Sequence, residues 1–426
     1  MANLNDIMTL ADSLGEQRVL VVKDRCTCVK NRHSTCSRCE DICPTGAITL
    51  GPNRVELMSA QCEGCGACTT VCPTEALVPL DPTDAELRQR VAAARKATGS
   101  TLYFACARMH AKQLADPSRY AVVPCLARVE ESLLMEQILD GVDRVVLIDG
   151  NCSNCKLQVC GPIVQMVAST TNDLLAARGN DVRVERVSAF PDELVDASQQ
   201  EMDLGAERRA ALLGSAQSVK GVMGKAIGAL AQIQASKDST SATVLEAMGL
   251  TDRDDPAKHV GDPERQVTLL DCLYELGENE DAQVVTRFFG AFAHDNVKCR
   301  KCGVCARVCP TDALKQVRYR KNGISRVSLE FSASECLQCH LCEDICFRSC
   351  ITVSPLVSLA DVFSFDPVRF PCSPAQAKAE AEEAAAEAAA AAGESTSAEG
   401  SAAKAEAEVA AVGSSAEVAA ADPAVD

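Results

Sequence analysis

Between residues 101 and 190 the chain repeats short apolar runs, TLYFAC, YAVVPC, DRVVLIDGNC and DVRVERVSAF, separated by stretches of helical spacing such as ESLLMEQILDG and Gly161 to Arg178. Short runs rich in Val, Leu and Ile, divided by helix-length segments, predict strands alternating with helices. Right-handed crossovers between such strands build a small parallel sheet. A different pattern fills KQVRYRKNGISRVSLEF, where apolar and polar residues alternate on either side of Asn322-Gly323. Alternation around Asn-Gly predicts a hairpin with a two-residue turn. From 191 to 290 the spacing is helical and polar, as in Ala206 to Ile233 with Leu212, Leu213, Val219, Val222 and Met223 three and four apart. From about Ala375 the chain is Ala/Glu/Ser-rich, with 11 acidic residues against 2 lysines. Its first part, AKAEAEEAAAEAAAAAG, favours helix but offers no apolar stripe, so it predicts a solvated helix or a disordered segment without chemistry.

Composition narrows these readings. A length of 426 residues predicts two to four domains, and 3% aromatics without tryptophan predicts several small cores instead of one large one. No apolar stretch reaches the length of a membrane span, and MANLNDIMTLADSLGEQ lacks the plan of a signal peptide, so a cytoplasmic protein without membrane insertion is expected. The pair Arg208-Arg209 lies mid-chain and reads as a solvated helix face, not an export signal. With 59 acidic against 42 basic side chains and a formal charge of −17, nucleic acid is not an expected partner.

The 25 cysteines change the picture most. A reducing cytosol does not maintain a dozen disulfides, so the count points to metal ligation. Nine lie between Cys26 and Cys72, five between Cys106 and Cys160, and nine between Cys299 and Cys350. Only Cys272 and Cys372 stand apart, and they read, with Cys350, as ordinary thiols, Cys350 beside a cluster. The outer groups are copies. CTTVCPTEAL at 68–77 matches CARVCPTDAL at 305–314, and CEDI followed by Cys occurs at both Cys39 to Cys43 and Cys342 to Cys346.

Cys299, Cys302, Cys305 and Cys309 with Pro310 fit C-x2-C-x2-C-x3-C-P, the iron–sulfur run whose fourth cysteine serves the other cluster. Cys336, Cys339, Cys342 and Cys346 repeat it, with Phe347 in place of proline. One cluster is therefore expected on Cys299, Cys302, Cys305 and Cys346, and another on Cys336, Cys339, Cys342 and Cys309. In the N-terminal copy Cys62, Cys65, Cys68 and Cys72 form a complete run, whereas Cys36, Cys39 and Cys43 lack a first cysteine at regular spacing. Cys28, separated from Cys36 by seven residues, is the preferred candidate; Cys26, His33 and a three-iron cluster are the alternatives. The expected sets are then Cys28, Cys36, Cys39 and Cys72, and Cys62, Cys65, Cys68 and Cys43. A zinc ribbon would take its four ligands as two pairs, not three in a row plus a fourth followed by proline.

These runs resemble the two-[4Fe-4S] bacterial ferredoxins. The resemblance implies pseudo-symmetric halves of short strands and helices, and four [4Fe-4S] clusters in all. In the middle region FACARMH, VPCLARV and the GNCSNC loop resemble the delta subunit of methyl-viologen-reducing hydrogenase, which binds a [2Fe-2S] cluster and passes electrons to heterodisulfide reductase. That resemblance makes Cys106, Cys125, Cys152 and Cys155 candidate ligands. Met109 stands where that family commonly has a further cysteine, and the loop pair is more closely spaced. Cys106, Cys125 and Cys152 end or follow predicted strands, the edge at which parallel sheets place ligands, with Cys155 and Cys160 in the loop and helix start beyond. A docking domain with buried or zinc-bound thiols is the bland alternative.

The expected architecture is α+β dicluster ferredoxin domains at 1–99 and 291–356, flanking an α/β parallel-sheet domain at 100–190. A helical linker at 191–290 and an extension with an acidic tail at 357–426 complete it. No Gly-rich dinucleotide fingerprint follows a predicted strand, GVMGKAIG lacks Walker spacing, and His110, His259, His294 and His340 read as surface or outer residues. The expected function is an electron-transfer subunit without a catalytic site of its own, serving protein redox partners in an anaerobic oxidoreductase complex. It looks like the bridging subunits that link a hydrogenase, formate dehydrogenase, heterodisulfide-reductase-like flavoprotein or molybdoenzyme to a second partner. The alternatives are a thiol–disulfide reductase using Cys152 and Cys155, and a scaffold that hands clusters on.

Overall fold

The computed structural model describes residues 17–195, 264–277 and 282–386. The predicted helix at Ala206 to Ile233, the Arg208-Arg209 pair, His259 and the tail beyond 386 lie outside the described residues.

The N-terminal module is built from β1 (Val19–Val21), α1 (Thr27–Lys30), α2 (Arg38–Asp41), β2 (Ile48–Gly51), β3 (Arg54–Leu57), α3 (Ala67–Val71) and β4 (Leu77–Pro79). β1 pairs antiparallel with β4, and β2 with β3. Val19, Ile48, Val55 and Leu77 form a small separate core. Strands and helices this short cannot bury enough surface to be stable alone, so the module leans on its neighbours and on whatever its cavities hold.

The middle domain starts earlier than its apolar runs suggest. α4 (Asp84–Thr98) opens with a reciprocal cap, the Thr83 hydroxyl accepting from the Glu86 amide and the Glu86 carboxylate accepting from the Thr83 amide. It buries Leu87, Val91 and Ala94, spaced along one face, against the sheet that follows. That helix falls inside the span expected for the first ferredoxin domain, yet it covers the next one. Then come β5 (Thr101–Cys106), α5 (Ala107–His110), β6 (Ala121–Val123), α6 (Glu131–Leu139), β7 (Arg144–Ile148), α7 (Gly161–Ala177) and β8 (Arg183–Val187). All four strands are parallel, in the order β6-β5-β7-β8. Leu102, Phe104, Val145, Leu147 and Ile148 are fully buried, as expected of strands covered on both faces.

The C-terminal part runs α8 (Glu264–Glu275), β9 (Gln283–Val285), β10 (Ala291–His294), α9 (Val304–Val308), β11 (Leu314–Lys321), β12 (Ile324–Phe331), α10 (Leu341–Asp344), β13 (Ile351–Ser354), β14 (Leu356–Ser358), α11 (Leu359–Phe363), β15 (Val368–Pro371) and α12 (374–386). β10 pairs with β13 and β11 with β12, repeating the N-terminal plan. Asn322 and Gly323 both have positive φ, 54° and 75°, the geometry of the two-residue turn. The span expected to be a helical linker also contributes a strand, because β9 pairs with β14. The start of the acidic tail is a docked helix: Glu383 of α12 pairs with Arg326 at 2.6 Å and with Lys321 at 3.0 Å, and Glu380 pairs with Arg326 at 3.4 Å. Glu380, Glu383 and Gln376, not an apolar stripe, provide the contact face.

Buried ion pairs lock the three parts together. Arg265 of α8 reaches Glu75 of the N-terminal module at 3.2 Å and Glu130 of the middle domain at 2.8 Å, and Arg287 pairs with fully buried Glu131. The two ferredoxin-like modules also touch directly. The Thr35 amide and hydroxyl donate to Asp344, and Arg38 donates to the Gln338 carbonyl at 2.8 Å.

Candidate metal centres

Each cysteine run folds into a loop, a short helix and a turn. In three of the runs the residues on either side of the second cysteine are left-handed: Gly64 and Gly66, Lys301 and Gly303, Gln338 and His340. Such alternation turns successive backbone N–H groups inward, giving a concavity suited to an anionic centre. The residue three beyond the last cysteine of each run is left-handed as well: Gly46, Glu75, Asp312 and Ser349. The chain then doubles back into the following strand.

Four cavities result, and each mixes the two runs of its module. Site one is lined by Cys36, Cys39 and Cys72 with Cys26 and Cys28, and site two by Cys62, Cys65, Cys68 and Cys43. Site three gathers Cys299, Cys302, Cys305 and Cys346, and site four Cys336, Cys339, Cys342 and Cys309. These are the groupings, cross-over cysteine included, that the spacing predicts. The surroundings are largely apolar, and burial pushes the Cys305, Cys336 and Cys339 thiols up to about 12. Four thiolates cannot share such a space without compensating positive charge, which a metal centre supplies. Around one zinc ion, sulfur atoms at about 2.3 Å would stand only about 3.8 Å apart. Among the described residues none of the four-thiol sets brings three ligand atoms within 4.8 Å of one another. The sets are thus too wide for one ion and fit a polynuclear cluster.

Site one is the irregular one. Cys26 follows a turn at Lys23–Arg25, donates its amide to the Lys23 carbonyl and has φ −74° and ψ 121°. Cys62, after Ser59–Gln61, has −76° and 119°, and Cys336, after Ala333–Glu335, has −80° and 117°, each with the same amide bond. Cys26 therefore occupies the first-cysteine position, and α1 is an insertion between it and Cys36. Its thiol feels those of Cys36 and Cys72, while the Cys28 thiol donates to the Cys36 carbonyl at 2.9 Å. The register of that turn favours Cys26 as fourth donor, while Cys28 lines the same cavity and acts on the Cys36 thiol as well. His33 is exposed and does not line the cavity. What hid this in the sequence is the nine-residue gap. The backbone register of the preceding turn reveals it.

In the middle domain Cys106 ends β5, Cys125 follows β6, and Cys152 and Cys155 follow β7, all at the carboxyl edge of the sheet. Cys106 feels the charge of Cys125 and Cys155, and Cys152 that of Cys125, so the four predicted residues converge. Cys152 also contacts Arg186, which pairs with Asp149 at 2.5 Å. The residue left out of the expected ligand set is Cys160, where α7 begins. Its buried thiol lies against those of Cys125 and Cys65, and this contact lowers their pKa values and raises its own. Cys65 belongs to site two, so the middle thiols abut that site. Sites four and one meet in a similar way, Cys339 feeling the charge of Cys36 across the contact made by Arg38.

Residues 32–76 and 298–350 match the model of the 4Fe-4S dicluster domain. No curated protein and no solved structure matches the chain. The match and the fold together define a chain with two ferredoxin-like dicluster domains, one at either end of a parallel-sheet region, and imply [4Fe-4S] clusters and a role in iron–sulfur electron transfer. The first matched segment begins after both Cys26 and Cys28. No helix among the described residues is long and apolar enough to cross a membrane.

Proposed function

We propose that the chain is an electron relay whose sites run in one row: three, four, one, two, then the middle-domain thiols. The observation that carries this reading is the pair of junctions, Cys339 beside Cys36 and Cys65 beside Cys160 and Cys125. Within each ferredoxin-like module the crossing cysteine ties neighbouring sites together. Cys43 and Cys72 do this at the N-terminal end, and Cys309 and Cys346 at the other.

When bound, each [4Fe-4S] cluster gains and loses a single electron with little change of geometry. The chain's residues hold, shield and align the sites. Cys26, Cys36, Cys39 and Cys72 serve site one; Cys62, Cys65, Cys68 and Cys43 serve site two. Cys299, Cys302, Cys305 and Cys346 serve site three, and Cys336, Cys339, Cys342 and Cys309 serve site four. Apolar walls limit contact with water, inward N–H groups donate to the sulfurs, and both set the potentials, site three being the most open at exposed Cys302. Cys106, Cys125, Cys152 and Cys155 would hold a [2Fe-2S] centre at the end of the row, with Cys160 between it and site two. Protein redox partners of an oxidoreductase complex supply and remove the electrons, and substrate chemistry belongs to them.

An anaerobic reductive titration followed by visible absorption tests the role. A relay takes up about four electrons, one per cubane site, and about one more at a two-iron centre on the middle thiols, in reversible single-electron steps. Uptake only in pairs, with a thiol–disulfide change at Cys152 and Cys155 and no bleaching, would favour a thiol reductase instead.

A further inference from the structure

Site three carries more donors than a ferredoxin-type cluster needs. Besides Cys299, Cys302, Cys305 and Cys346, its cavity is lined by Cys350, Cys372 and His294. None of these has a counterpart at site two or site four. His294 ends β10 and Cys372 follows β15, both outside the segment that matches the dicluster family. Cys372 is fully buried and its thiol lies beside that of Cys299. Cys350 stands 3.3 Å from Cys346, four residues beyond it, where the other three runs have Ala47, Ala76 and Ala313.

Two observations point from surplus to ligand. Among the described residues, His294, Cys299 and Cys350 are the one group of three such side chains whose ligand atoms all lie within 4.8 Å of one another, the spacing of donors around one ion. In addition, the His294 Nε2 atom is buried and has no hydrogen-bond partner, which is costly unless something fills that direction.

We propose that site three holds, beside its ferredoxin-type centre, a single zinc-class ion bound by His294 and Cys350, with the Cys299 sulfur bridging to it and Cys372, which lies against Cys299 but outside that 4.8 Å group, closing in as the fourth donor. This rests on the relay reading for Cys299 alone. One imidazole and three sulfurs form a tetrahedral set of the kind that selects Zn²⁺ over hard cations. Binding displaces the thiol protons of Cys350 and Cys372 to solvent, two per ion, while Cys299 is already deprotonated by its own centre. The oxidation states of metal and sulfur do not change. The ion would fasten β10 and β15 to the cluster loop.

The full chain, reconstituted anaerobically with iron and sulfide, is dialysed against buffered Zn²⁺ and then against zinc-free buffer. Zinc, iron and sulfide per chain are measured beside wild type in His294→Gln and Cys350→Ser, and iodoacetamide labelling of Cys350 is mapped with and without zinc. The proposal expects one zinc per wild-type chain, retention at least tenfold weaker in both variants with iron and sulfide unchanged, and protection of Cys350 by zinc. Zinc absent from wild type, or held equally by the variants, or leaving Cys350 fully reactive would overturn it. A wild-type chain that loads no iron or sulfide would overturn the relay reading and the Cys299 bridge with it. Loaded iron without zinc would remove the ion alone.

Discussion

The two ferredoxin-like modules share a plan and depart from it in opposite ways. At the N-terminal end the departure is an insertion: α1 stretches the loop between Cys26 and Cys36, and the left-handed residues of the other three loops are missing there. At the C-terminal end the loops are regular, and the departure is an excess of donors around site three. Both irregular sites keep their cross-over cysteine, Cys72 or Cys346, in place. The difference teaches that module geometry resides less in the loops than in the doubling back after the last cysteine, common to all four runs, and the turn before the first cysteine, common to three of them.

The sharpest way to break that comparison is at the inserted loop. Cys26→Ser should cost site one its regular cluster, giving a three-iron electron paramagnetic resonance signal on oxidation, while Cys28→Ser leaves the spectrum unchanged. The reverse pattern would mean that the turn at Lys23–Arg25 does not set the register.

Next in size is the lock between modules. Arg265→Met strands the Glu75 and Glu130 carboxylates in a buried setting, and about 3–5 kcal/mol of stability should be lost in anaerobic denaturant unfolding. A loss below about 1 kcal/mol would show that the two ends are held together by other contacts.

A smaller effect concerns the crossing cysteines. Thr45, Thr74 and Thr311 place hydroxyls 3.6, 3.8 and 3.9 Å from the sulfurs of Cys43, Cys72 and Cys309, and Arg348 stands at the corresponding position after Cys346. Replacing Thr45 or Thr74 with valine should lower that site's potential by a few tens of millivolts, because a weak donor to the reduced centre is lost, whereas Thr311→Val should shift its site less, since the Thr311 hydroxyl already donates to the Glu335 carbonyl at 2.7 Å. Redox titration of the three variants checks this. Unshifted potentials would mean that the hydroxyls do not donate to the sulfurs.

The smallest effect is at the periphery. Arg326 and Lys321 hold the Glu383 carboxyl down to about 2 from an ordinary 4.5. A depressed carboxyl pKa contributes its stability above the unfolded value and loses it as pH falls through the folded one. Docking of α12 should therefore be intact above about 4.5 and weaken towards 2, read by protease nicking of the cluster-free chain. Glu383→Gln should show the nicking already at neutral pH.

Much of this was legible in the sequence. The Asn322-Gly323 hairpin, the four parallel strands and the pairing of each three-cysteine loop with a distant fourth cysteine follow from spacing and alternation, because those patterns are set by local backbone geometry. What stayed hidden depends on tertiary contact. α4 reads as part of the module that precedes it, since only packing shows which sheet its Leu87 and Val91 cover. Cys160 looks like one more thiol until Cys65, from another domain, is found against it. The tail reads as solvated because ion pairing to Arg326 leaves no hydrophobic trace.

The central claim is tested most directly by counting iron and acid-labile sulfide in the full chain purified without oxygen. Four cubane sites predict about 16 of each, with about two more of each if the middle thiols hold a two-iron centre. Colourless protein, or cysteine runs filled with zinc and free of sulfide, would contradict it.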